Sequence, residues 1–128
     1  MDNVKEIYIK YSGLLLSINY DKKIIEYCRK TKQVKLRKLA EIQLLFHSSY
    51  RKFLYAFTEY DKDEIDKYYE LTKKYALSLL ELSENYDENY YLKIAEKIKV
   101  FYEFSTIINN LFDNGNLYFP SNISIAIV

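Results

Sequence analysis

The chain has 128 residues, of which 49% are apolar, 29% charged and 17% aromatic, with a formal net charge of +1 at pH 7. That apolar content excludes a disordered tail, two Gly and one Pro exclude a collagenous or linker-like chain, and one Cys excludes a disulfide scaffold. A chain of this length buries roughly two-thirds of its unfolded surface, enough for one core.

Helical spacing runs from Val4 to Phe112. The first apolar stripe is Val4, Ile7, Tyr8, Tyr11, Leu14, Leu15 and Ile18. The second is Leu36, Leu39, Gln43, Phe46, Tyr50, Phe53 and Phe57, in alternating steps of three and four. The third is Ile65, Tyr68, Tyr69, Thr72, Ala76, Leu79, Leu80 and Ser83. The fourth is Tyr91, Ile94, Ala95, Ile98, Phe101, Tyr102, Ser105, Ile108 and Phe112. Each stripe predicts one apolar face of an amphipathic helix.

Boundary residues support the same division. Asn3-x-x-Glu6, Asp61-x-x-Glu64 and Asn85-x-x-Glu88 resemble capping boxes, and Asn114-Gly115 is a helix stop. These signals predict helices near 62–84 and 86–113. The first half breaks either at Lys30-Thr31-Lys32, with Thr31 as N-cap, or at Asn19-Tyr20-Asp21. The first choice gives four helices of similar length. The expected fold is therefore all-α, an antiparallel up-down-up-down four-helix bundle over residues 1–115. Leu39, Phe46, Leu79 and Ile98 are expected in its core. Fifteen Tyr are too many for one deep core, so several must lie at the rim or in an interface.

Residues 116–128 break the helical pattern. Pro120 opens a turn, and Ile123, Ile125 and Ile127 alternate with Ser124, Ala126 and Val128 as in a strand. A lone strand leaves its backbone groups unpaired. The tail is therefore expected to be an extended segment whose Leu117, Tyr118, Phe119, Ile123, Ile125 and Ile127 meet a partner chain or a second copy.

Charge is unevenly placed. Residues 1–58 carry 12 Lys/Arg against 5 Asp/Glu, and the remainder carry 7 against 13. The densest cluster is Lys22, Lys23, Arg29, Lys30, Lys32, Lys35, Arg37 and Lys38. One reading pairs the basic half with the acidic half, within the bundle or between copies. The other is a nucleic-acid or polyanion surface, since Lys32 and Lys35 would crowd a helix N-terminus that favours anions. Ile, Lys, Asn, Tyr and Phe, all with AT-rich codons, supply 61 of the 128 residues, so base composition alone explains much of the Lys and Tyr content.

Catalytic and cofactor patterns are missing. His47 is the single His, so the paired Glu-x-x-His motifs of a di-iron bundle are impossible. The Arg-x4–6-His motif of HEPN ribonucleases is not matched, the nearest upstream Arg being Arg37. A nuclease using His47 is the weakest of the readings. Asp61, Asp63, Glu64 and Asp66 lack the Gly of a calcium loop and suit a helix start instead. No metal or cofactor is expected, and no small-molecule substrate.

No segment reaches the roughly 20 apolar residues of a membrane span, and no basic leader opens the chain. With Cys28 alone, a cytoplasmic, reducing setting is expected. The functional expectation is a non-enzymatic protein-interaction or assembly module, of the kind a phage or virus encodes as an accessory or inhibitor protein. The alternative is a nucleic-acid-binding subunit of a nucleoprotein complex, using residues 22–38.

Overall fold

A computed structural model describes the backbone of residues 3–113 and the side chains of 4–111. It is an all-α four-helix bundle: α1 (Asn3–Thr31), α2 (Val34–Thr58), α3 (Lys62–Glu84) and α4 (Glu88–Asp113). The expected tail, with Leu117, Tyr118, Phe119, Ile123, Ile125 and Ile127, lies outside the described residues. None of the described helices is long and apolar enough to cross a membrane.

Two of the turns are tight enough to need a left-handed residue. Lys32 has φ 58° and Tyr60 has φ 54°. Past Lys32, the Gln33 N–H donates to the Cys28 carbonyl at 3.0 Å. Past Tyr60, the Asp61 N–H donates to the Ala56 carbonyl at 3.1 Å. These bonds close α1 and α2 in Schellman fashion, a position where glycine is usual. A side chain in left-handed backbone costs roughly 1–2 kcal/mol. Lys32→Gly is therefore expected to raise stability by about 0.5–1 kcal/mol, less than that strain because the unfolded chain gains freedom. Urea unfolding measures the gain, and a variant less stable than wild type would refute the strain.

The break between α1 and α2 falls where the sequence places it, but Thr31 is not the cap. Its hydroxyl turns back to donate to the Tyr27 carbonyl at 2.9 Å, so Thr31 ends α1 instead. Gln33 stands at the N-cap of α2 and makes no capping bond with its side chain. Lys35 does lie in the first turn of α2, whereas Lys32 precedes it. Asp61 caps α3 as expected, accepting from the Glu64 N–H at 3.1 Å. At α4 the cap is Asp87, which accepts from the Tyr90 N–H at 2.9 Å. Asn85 is used to close α3, donating to the Glu81 carbonyl at 3.2 Å.

Helix α2 is the centre of the bundle, packed closely on both α1 and α3. Small residues allow the α2–α3 approach: Ala56 and Ala76 are buried, and the Ser49 and Thr72 hydroxyls lie 3.0 Å apart across the seam. Helix α4 packs on α3 and touches α2 more lightly. Its Phe101 fills the gap, with ring centroids 5.0 Å from Tyr50, 5.7 Å from Phe53, 5.9 Å from Tyr69 and 6.1 Å from Phe46. Leu39, Phe46, Leu79 and Ile98 are all buried, as the stripes predict. Tyr8, Tyr20, Tyr27, Tyr55, Tyr60 and Tyr86 are exposed, so the Tyr surplus does lie at the surface.

Helix α1 departs from its predicted stripe. Its core face is Ile7, Leu14, Ile18, Ile25 and Cys28, while Val4, Tyr8 and Leu15 are exposed. A second apolar line, Ile9, Gly13, Leu16, Tyr20 and Tyr27, runs along the opposite side of the helix. The predicted stripe mixed the core face with residues from its flanks, because apolar residues occur almost all around the first five turns.

Candidate functional site

One cavity in the bundle is walled by three helices. Tyr20, Asp21 and Ile24 come from α1, Leu36, Ala40 and Gln43 from α2, and Tyr90, Lys93, Ile94 and Lys97 from α4. Its volume is about 260 Å³. It exists because α1 and α4 both lean on α2 without packing closely on each other.

A polar network forms the floor. Asp21 is 0% exposed and occupies the stripe position between Ile18 and Ile25. A carboxylate so placed needs partners. Gln43 Nε2 donates to Asp21 Oδ1 at 2.8 Å, and His47 Nδ1 lies 2.6 Å from Asp21 Oδ2. A carboxylate oxygen accepts, so this contact calls for the His47 tautomer with its hydrogen on Nδ1. The Tyr90 hydroxyl donates to Gln43 Oε1 at 2.5 Å and extends the chain to α4. Burial first, then the negative charge of Asp21, pushes the Tyr90 phenol up to about 12. The Tyr90 hydroxyl therefore keeps its proton at neutral pH. Three helices are thus tied by one chain of hydrogen bonds, and gaps in such a chain would be costly.

Unpaired positive charge collects along the α1–α4 seam. Lys93 and Lys97 are exposed on one face of α4, four residues apart. Lys10 on α1 sits 5.9 Å from the Tyr50 ring centroid. Its ammonium is pushed below the usual range, first by burial and then by Lys97. None of the ion pairs among the described residues involves these three lysines. Beneath Lys10, the buried Tyr50 hydroxyl has no hydrogen-bond partner among the described residues, and burial holds its phenol above the ordinary range.

The basic cluster predicted from sequence lies at the α1–α2 end of the bundle. Lys22, Lys23, Arg29, Lys30, Lys32, Lys35 and Lys38 are exposed, and Arg37 is half-buried with an Nε that has no partner among the described residues. The acidic α3–α4 turn lies at the same end, by the antiparallel course of the helices. Among the described residues no ion pair joins the two turns, and only Lys30 is paired, with Glu26 of its own helix at 3.8 Å. Cys28 is a buried free thiol. His47 finds Asp21 as its partner, a pairing that the sequence reading missed. The signal was Asp21 at a core position of the first helix, facing a stripe that contains Gln43.

Among the described residues no group of His, Cys, Asp and Glu could hold a metal ion. Lys62 pairs with Asp66 at 2.7 Å, and Asp61 serves its cap. Comparison with protein-family models, curated proteins and solved structures finds no match.

Proposed function

We propose that this protein is a non-enzymatic assembly module that pairs with a second copy through the outer face of α1. The carrying observation is the line opposite the core face. Ile9 is 61% exposed, Leu16 73%, Tyr20 61% and Tyr27 55%. Together with Gly13 and Lys23 they recur in alternating steps of four and three, the spacing of a helix–helix seam. A Cβ built at Gly13 meets nothing within 4 Å, so no packing among the described residues requires glycine there. A glycine inside a helix costs about 0.8–1 kcal/mol relative to Ala. Close approach of another backbone is a use that offsets that cost.

The face is self-complementary in antiparallel register. Placing Gly13 opposite Leu16 seats the Leu over the missing side chain. The same register sets Ile9 against Tyr20 and Glu6 against Lys23. The four large apolar residues offer roughly 600 Å² per copy, and their polar neighbours raise this toward the ~800 Å² per partner of a standard interface. His47 is only 3% exposed and is not among the residues lining the cavity. That placement supports a structural role for the Asp21–His47 pair over a catalytic one. A reducing, intracellular setting fits the single buried thiol.

Light scattering tests the reading. Wild type is expected at twice the chain mass and Leu16→Glu at the single mass with unchanged helical content. Lys23→Glu should also dissociate the pair, and adding Glu6→Lys should restore it. A dimer that survives Leu16→Glu but is lost on deleting residues 116–128 would move the interface to the tail.

The uncapped start of α2 favours a second reading, polyanion binding at the α1–α2 end. Its first turn holds no acidic residue, Gln33 makes no side-chain cap bond, and the Arg37 Nε has no partner among the described residues. RNA or DNA binding that weakens steeply with salt and is lost on charge reversal at Lys32, Lys35 and Arg37 would establish it.

A further inference from the structure

We propose that the cavity between α1, α2 and α4 binds a small aromatic carboxylate, its ring between the apolar walls and its anion on Lys93 and Lys97. This goes beyond the assembly reading and does not rest on it. It also departs from the expectation, drawn from sequence, that the chain has no small-molecule ligand.

Size sets the first limit. At about 260 Å³ the cavity lies just below the ~300–1,000 Å³ typical of ligand pockets, so the occupant has a single ring. Ile24, Leu36, Ala40 and Ile94 give apolar contact, and the rings of Tyr20 and Tyr90 favour a flat body.

Polarity sets the orientation. At the mouth, Lys93 and Lys97 are exposed ammonium groups with no carboxylate partner among the described residues. They attract an anion, and the nearby Lys10 adds to the same field. At the floor, Gln43 spends one amide hydrogen on Asp21 and keeps another. The Tyr90 oxygen donates its proton to Gln43 and keeps lone pairs to accept with. A hydroxyl on the ring, opposite the carboxylate, can accept from the first and donate to the second. The Asp21–His47 pair holds these groups in place before any ligand arrives, which lowers the cost of binding.

The probe is para-hydroxybenzoate, followed by amide-resolved NMR. Saturable shifts are expected at Ile24, Ala40 and Ile94. Affinity should fall at least tenfold for para-hydroxybenzamide, which keeps the shape and loses the charge, and likewise for the Lys93→Gln/Lys97→Gln variant. Both lysines are exposed, so that variant keeps the fold. Ala40→Phe, which fills the cavity, should abolish binding. The titration is repeated on Leu16→Glu, because Tyr20 belongs both to the cavity mouth and to the outer face of α1. Saturable binding in neither chain overturns the proposal. Equal binding of the amide, or binding indifferent to the lysine variant, overturns it as well.

Discussion

Asp21→Ala is expected to destabilise the protein by about 3–5 kcal/mol, because it strands His47 and Gln43 in the interior without the carboxylate they share. Asp21 is fully buried and sits 2.6 Å from His47 Nδ1. Taking the two groups out of water is costly, and their mutual attraction offsets that cost only while both are present. His47→Ala should therefore be damaging too, leaving a buried carboxylate with Gln43 alone. Asp21→Leu combined with His47→Leu should recover most of the loss, since an apolar pair of similar volume needs no desolvation. Urea unfolding followed by far-UV circular dichroism gives all four stabilities. A loss under ~1 kcal/mol for Asp21→Ala would place the pair in solvent-like surroundings and contradict its burial.

Phe101→Ala should cost a similar amount, about 3–5 kcal/mol, by a different mechanism. The ring is 0% exposed and is surrounded by Phe46, Tyr50, Phe53 and Tyr69. Removing it leaves a void that rigid neighbouring rings cannot fill. Helix α4 approaches α2 lightly, and both Phe101 and the Tyr90–Gln43 bond reach across to it. Amide exchange should therefore rise first in α4, while α1 and α2 remain protected. Phe101→Leu should cost less, because it refills part of the space. Uniform loss of protection across all four helices would mean that α4 is not a separable unit.

Much of the architecture was legible in the sequence. The stripes of α2, α3 and α4 have clean one-sided periodicity, and burial followed them. The α1–α2 break was harder, since neither candidate junction holds Gly or Pro. It is closed by Lys32 in left-handed backbone, a conformation that propensity assigns to glycine. The cap of α4 was placed at Asn85 rather than Asp87 because both can bond a free helix end and only Tyr86 separates them. The face of α1 was misread for a reason of composition: a helix apolar on two sides has no single stripe to find. The polar network was the larger omission. Asp21 was noted only at a candidate helix break and given no partner, although its spacing from Ile18 and Ile25 placed it on the core face. Its partners lie 22 and 26 residues away on another helix, and that pairing depends on the lateral register of α1 on α2. Local pattern carries no information about such register.

The central place of α2 also bears on how the chain reaches its structure. Its two closest neighbours are the helices that precede and follow it, joined to it by turns of two and three residues. Each hairpin can therefore form with almost no loop to close, and no distant segment must be found first. Chains dominated by such local contacts fold on the microsecond-to-millisecond scale. The α1–α2 and α2–α3 hairpins share one helix, so either can template the other. Helix α4, packed on α3 and reaching α2 through Phe101 and Tyr90, would then dock onto a three-helix platform already in place.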